Sequence, residues 1–111
     1  MVHLVKINTD DSADVTRFVD LPYRLYADSP HWVPPLRDDV ALLLNRTAHP
    51  LHKANDADFF VVQENGRIVG RIMVLAPHAA IGQEKEARFA LFECEDNLEA
   101  AGMLFAQILT W

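Results

Sequence analysis

The densest group of reactive side chains is the run Glu93-Cys94-Glu95-Asp96, with Glu99 close behind it. A cysteine between two carboxylates could serve as a nucleophile, but an activated thiol needs a base to take its proton, and no histidine neighbours Cys94 in sequence. On an apolar strand a cysteine is ordinarily core. Acids gathered before a helix are already accounted for by the helix dipole, which favours negative charge at its N-terminus. His49 and His52 flank Pro50 and could bring two imidazoles to a metal, with His31, His78 or Cys94 as remote third ligands. No carboxylate or thiolate stands at a spacing that completes the set, so surface histidines are the simpler reading. Arg67 and Arg71 alternate along one segment and could grip an anion. The competing use pairs Arg67 with Glu64 and lays Arg71 over Phe60. Tyr23, Tyr26 and Trp32 could line a ligand pocket or pack a proline-rich connector.

These residues must be positioned by a sheet, and its centre is the stretch Asp58 to Ala76. Two apolar runs flank Asn65-Gly66, the dipeptide that supplies both positive-φ positions of a type I′ hairpin turn. A two-residue loop sets the register, so Glu64 is expected opposite Arg67, Val62 opposite Val69, and Phe60 opposite Arg71. One face then carries Phe59, Val61, Gln63, Ile68, Gly70, Ile72 and Val74; the other carries Phe60, Val62, Val69, Met73 and Leu75 with the charged residues. Ala87 to Cys94 reads as a further long strand, with Phe89 and Leu91 on one face and Ala90, Phe92 and Cys94 on the other. Strands apolar on both sides need helices above and below.

The remaining elements supply those helices. Val2 to Ile7 is a short edge-like strand. Asp11 or Ser12 caps a helix with Val15, Phe18, Val19, Leu25 and Tyr26 at helical spacing, and Pro22 is expected to kink or break it near Leu21. After the connector Asp28 to Pro35, a short helix follows with Leu36, Val40, Leu43 and Leu44 on one face. Arg46 to Asp56 reads as a loop, and Pro77 to Glu86 as a second irregular stretch. Asp96 with Glu99 gives a capping-box-like start to a last helix striped by Leu98, Ala101, Phe105, Ile108 and Leu109. That helical pattern is still running at Trp111, so the chain is expected to be part of a longer fold.

Composition narrows the class. The chain has 111 residues, one cysteine and a formal net charge of −6, with 50% hydrophobic residues. This fits a single packed domain, residues 1–111, too small for two cores. The acidic balance without a basic cluster argues against nucleic-acid binding. A lone cysteine excludes an internal disulfide and points to a reducing, cytoplasmic setting. No apolar run approaches membrane-spanning length, and no membrane association is expected.

Three phrases, FVDLPYRLYADSPHWVPPLRDDV, HPLHKANDADFFVVQENGRIVGRI and FALFECEDNLEAAGMLF, resemble the front of a group of uncharacterised bacterial acetyltransferase-like proteins of the GCN5-related N-acetyltransferase (GNAT) superfamily. The resemblance runs from about Phe18 to Trp111. It implies an α/β (α+β) fold: a mostly antiparallel four-stranded sheet flanked by helices, in the order β-α-α-β-β-β-α, stopping before the family's fifth strand. It also implies acetyl transfer from acetyl-CoA to an amine, with Glu93 or Glu95 as general base, commonly through water. Cofactor contacts would fall on Phe92, Cys94 and Asn97, where the fourth strand hands over to the next helix. The family's glycine-rich pyrophosphate loop is absent at that turn, and Glu93, Glu95, Asp96 and Glu99 would repel a pyrophosphate there. With no fifth strand, the outer edge of Ala87 to Cys94 is left to pair with a second copy. The competing expectation is therefore a noncatalytic binding or self-association module, a homodimer through that edge.

Overall fold

The hairpin turns where Asn65 and Gly66 both take positive φ, 53° and 78°, the type I′ geometry that matches the twist of its strands. The computed structural model describes residues 2–78 and 87–111. Its elements are β1 (Val2–Lys6), α1 (Ser12–Leu25), α2 (Arg37–Leu43), the single turn α3 (Leu51–Ala54), β2 (Asn55–Glu64), β3 (Arg67–Pro77), β4 (Arg88–Cys94) and α4 (Leu98–Thr110). The sheet is antiparallel throughout, in the order β1-β2-β3-β4. The expected architecture is therefore present, with α3 added inside the stretch read as a loop. The irregular stretch expected over Pro77 to Glu86 begins with the end of β3 and, from residue 79 to 86, lies outside the described residues.

Each face of the sheet has its own core. Phe59, Val61 and Met73 pack with Phe18 of α1 and Leu44 just after α2. On the opposite face Phe60, Val62, Ile72 and Val74 pack with Ala100 and Leu104 of α4. Helices thus lie above and below, as strands apolar on both sides require. That burial is deepest in β2 and β3, whose central residues are buried. In β4, Arg88, Phe89 and Ala90 are exposed and Leu91 to Cys94 half-buried, because no strand pairs with its outer edge among the described residues.

Two bulges revise the expected register. Glu64 does face Arg67, but the pairing shifts between Val62 and Gln63, so that Val62 faces Gly70, Val61 faces Arg71 and Phe60 faces Ile72. Val69 is the extra residue, and every side chain beyond it changes face. Ile72 and Val74 therefore join the α4 core, whereas Arg71 turns toward α1. A second slip, between Arg71 and Met73 on β3, accompanies Leu91 of β4 at φ 56°. It puts Phe89 and Phe92 on one side, where both rings pack on Phe105 at 5.7 and 4.8 Å.

Helix α1 starts as read, with the Asp11 side chain accepting the Ala13 amide at 2.9 Å. Of the two outcomes expected at Pro22, a kink or a break, the break does not occur: α1 is continuous through it. Helix α4 is capped by Asn97 rather than Asp96, its side-chain oxygen accepting the Ala100 amide at 3.0 Å. Its buried positions are Ala100 and Leu104, one step round from the expected stripe, and Leu98 and Leu109 are each 89% exposed. Leu36 is likewise exposed, and Val40 and Leu44 carry the α2 contact. Trp111 fastens the end of α4, its indole N–H donating to Asp58 at 2.7 Å. None of the helices among the described residues is long and apolar enough to cross a membrane.

The rotation of α4 depends on Gly70. A Cβ there would lie 2.9 Å from Leu104 Cδ1 and 3.1 Å from Cys94 Sγ, and Leu104 is fully buried, so its methyl can move only by displacing other core atoms. Gly70→Ala is expected to lower stability by about 1 kcal/mol, the overpacking loss outweighing the backbone-entropy gain. A urea midpoint equal to that of the unsubstituted chain would contradict this packing.

Candidate functional site

Pro22 deprives α1 of the amide that would bond the Phe18 carbonyl. Arg71, only 3% exposed, makes good the loss. Its Nη1 donates to Phe18 O at 2.8 Å and approaches Val19 O at 3.4 Å, while Nε donates to Leu91 O at 3.0 Å. The guanidinium lies 4.9 Å from the centre of the Phe18 ring, not over Phe60 as the regular register would have it. Burial pulls the Arg71 pKa below its usual value, and the neighbouring Glu93, Tyr23 and Tyr26 act against that pull. The group remains a cation at neutral pH, since so basic a side chain keeps its proton. One buried side chain thus joins the proline turn of α1 to the bulge of β4.

Glu93 stands opposite Arg71 in the register. Its Oε2 accepts the Tyr26 hydroxyl at 2.6 Å. That bond raises the Tyr26 pKa, since removing the proton would break it, and burial and the negative charge of Glu93 push the same way. Tyr26 sits just past α1, where Trp32 packs against it and against Tyr23, both at 5.3 Å between ring centres. The Tyr23 hydroxyl donates to Pro35 O. The aromatic trio therefore holds the connector against α1, and through Tyr26 it touches the carboxylate at the end of β4.

Glu95, two residues on, has different surroundings. Arg24 and Arg67 reach its two oxygens at 2.8 and 3.0 Å, so the Arg67 guanidinium goes to Glu95 rather than to Glu64. Arg24 also donates to Ile68 O. Between the two acids, Cys94 lies on the α4 face beside Gly70. Burial pushes its thiol pKa up, and Glu95 adds to the effect, which keeps the sulfur protonated and a poor nucleophile. Phe92 is packed on Phe105, and the Asn97 side chain serves the start of α4. Of the five residues singled out by sequence, Glu93 and Glu95 thus face the α1 side, while Phe92, Cys94 and Asn97 lie toward α4.

Sequence reasoning passed over Tyr26 as a partner for Glu93 and Arg71 as a buried connector. In the sequence Tyr26 stands as a helix position and, with Tyr23 and Trp32, as a possible pocket wall or packing for the connector, with nothing to tie it to Glu93. The signal for Arg71 was a charge inside an otherwise apolar strand together with a proline inside a helix, two anomalies that answer each other. The histidines are used structurally: His49 Nδ1 accepts the Leu51 amide at 3.0 Å, and His52 Nε2, 2.7 Å from Leu43 O, must carry a proton there. Among the described residues no group of three or more His, Cys, Asp or Glu side chains could hold a metal ion. An open groove of about 470 Å³ runs beside α1, with Tyr23, Arg24 and Arg37 on its wall.

No known protein-family model matches the chain. A bacterial ceramide synthase from Caulobacter vibrioides (strain NA1000 / CB15N) is 29% identical over 103 residues, covering 89% of this chain and 27% of that protein. Among solved structures, a tandem GNAT protein from the clavulanic acid biosynthesis pathway superposes with a TM-score of 0.74 at 24% identity, over 97% of this chain and 32% of that one. A predicted acetyltransferase from Clostridium acetobutylicum, solved with acetyl-CoA, gives 0.63 at 8% identity over 99% of this chain and 72% of its own. A possible acetyltransferase from Clostridium difficile 630 gives 0.65 at 12% identity, over 99% and 70%. The chain spans about a quarter of the curated relative and about a third of the tandem protein. With its four-stranded antiparallel sheet, bulged β4 and helices on both faces, this chain has the fold of the GCN5-related N-acetyltransferases.

Proposed function

We propose that the chain forms part of an acyl-CoA N-acyltransferase that moves an acyl group, acetyl in the simplest case, from a coenzyme A thioester to an amine. The observation that carries this is the Glu93 carboxylate, held by the Tyr26 hydroxyl at 2.6 Å beside the bulge of β4. In the reaction the amine nitrogen attacks the thioester carbonyl carbon, Glu93 takes the proton from that nitrogen, directly or through water, and the carbon–sulfur bond breaks to release a coenzyme A thiolate that receives the same proton back, through solvent, to leave as the thiol. A ceramide is an amide, so the ceramide synthase relative fits the same class of reaction. The bound acetyl-CoA of the Clostridium acetobutylicum neighbour supports a coenzyme A thioester as donor.

The outer edge of β4, which no strand pairs among the described residues, and the small share of the ceramide synthase and the tandem protein that this chain spans, support a division of labour. On this reading the chain carries the base and one wall of the cleft, and the remainder of a longer protein completes the cleft. Titration calorimetry with acetyl-CoA up to millimolar concentration tests the donor. Saturable heat with the longer protein is the expected result; silence there removes the acyltransferase reading.

The same open edge, with Phe89 51% exposed beside it, favours a second reading, a noncatalytic module that pairs two copies along β4. Sizing chromatography over a hundredfold range of concentration separates the two: a monomer throughout excludes the pairing.

A further inference from the structure

The pairing of β4 fixes where its amides point. Glu95 N donates to Val69 O at 2.8 Å. Because successive residues of an antiparallel strand turn their N–H and C=O groups to opposite sides, Glu93 also faces β3, and Phe92 and Cys94 turn theirs to the outer edge, which no strand pairs among the described residues. The carbonyl that shares a peptide with the Phe92 N–H is that of Leu91, and it points the other way, toward β3. Leu91 is the residue at φ 56°, where the register slips, so its carbonyl is displaced from the regular ladder. The donor it meets is Arg71 Nε at 3.0 Å.

We infer that Arg71 is a positioning residue that locks the Leu91–Phe92 peptide, so that the Phe92 N–H is held toward the outer edge of β4, the side on which the proposed cleft would be completed. The catalytic part of this role rests on the acyltransferase reading above. A planar trans peptide with its oxygen fixed has its N–H fixed as well. The guanidinium is itself immobilised, because its planar fork is shared between Leu91 and the α1 carbonyls freed by Pro22, and Phe18 packs beneath it. Left-handed backbone at a leucine is unfavourable and persists only when its surroundings impose it. Arg71 is the side chain in place to do so. An N–H held rigidly in this way can meet the negative charge that develops on a carbonyl oxygen without first reorganising.

Two variants test the assignment. Arg71→Lys keeps the charge but offers a single ammonium in place of the fork. Arg71→Met combined with Pro22→Ala restores an amide for Phe18 O while leaving Leu91 O without its donor, so the fold is kept and only the bulge is released. In both, carbon shifts of Leu91 in the isotope-labelled chain are expected to move from left-handed toward strand values and the Phe92 amide signal to shift, with the amides of β1 and β2 unchanged. In the longer protein the turnover number for acetyl transfer should fall about tenfold or more, with KM for the amine within about twofold. Unmoved Leu91 and Phe92 signals in the double variant overturn the assignment, as does an unchanged turnover number when those signals have moved. A longer protein inert before substitution overturns the catalytic role together with the acyltransferase reading. The Leu91 and Phe92 signals distinguish that failure from a failure of the bulge contact.

Discussion

Arg71→Met alone is expected to destabilise the chain by about 3–5 kcal/mol, the largest loss for any single side chain discussed here. The estimate follows from what the substitution leaves behind. Phe18 O and Leu91 O each lose a charged donor at 2.8 and 3.0 Å, and a buried acceptor left without a partner costs about 1–3 kcal/mol. The stacking on Phe18 adds a smaller share. Domains of this size have about 5–15 kcal/mol in total, so urea titration should show a large drop in midpoint and possession of little folded margin. Pro22→Ala should return part of the loss, about 1–2 kcal/mol, because an amide at position 22 can bond Phe18 O in place of the guanidinium. A double-mutant cycle reads this directly. Strict additivity would mean that Arg71 is not compensating for the proline.

That pairing shows what the sequence alone could and could not convey. The hairpin was legible because Asn65-Gly66 acts locally, and the two helical layers were legible because Phe59 to Val62 and Ile72 to Val74 leave no polar side to face water. Pro22 does not end the helix because the orphaned Phe18 carbonyl finds an outside donor, and that donor is 53 positions away in sequence, where no local rule can see it. The Val69 bulge inverts the faces of half a strand, yet no residue at Val69 announces it. In α4 nearly every position is apolar or small, so the sequence leaves the rotation of the helix open. It is set by the close approach of Leu104 to Gly70, which a pattern of hydrophobic positions does not contain. The cap falls one residue later than expected because Asp96 and Asn97 are equally good caps. At the candidate site, the acids were visible as a cluster, but what separates Glu93 from Glu95 is tertiary: one meets a phenol from the end of α1, the other two guanidinium groups.

That difference leads to the second large expected effect, on the proposed reaction. Glu93→Gln should lower kcat/KM for the proposed acetyl transfer by about 10²–10⁴, the usual worth of a general base, while leaving stability nearly unchanged, since an amide oxygen can still accept the Tyr26 hydroxyl. Glu95→Gln should do the reverse. Its carboxylate is occupied on both oxygens by Arg24 and Arg67, and its loss should weaken the fold by up to about 1 kcal/mol because the pairs are partly exposed. Tyr26→Phe should fall between, since it frees the Glu93 carboxylate to rotate without removing it. The raised pKa of Tyr26 sets the pH range of that contact. A group that holds its proton more tightly when folded contributes fully below its unfolded value, near 10.0, and loses its contribution as the pH climbs through the raised folded value. The Tyr26→Phe deficit in stability should therefore be constant from pH 6 to about 9 and shrink above 10. If Glu95→Gln abolishes transfer with the fold intact while Glu93→Gln retains it, the base is Glu95, and the Tyr26 contact is structural.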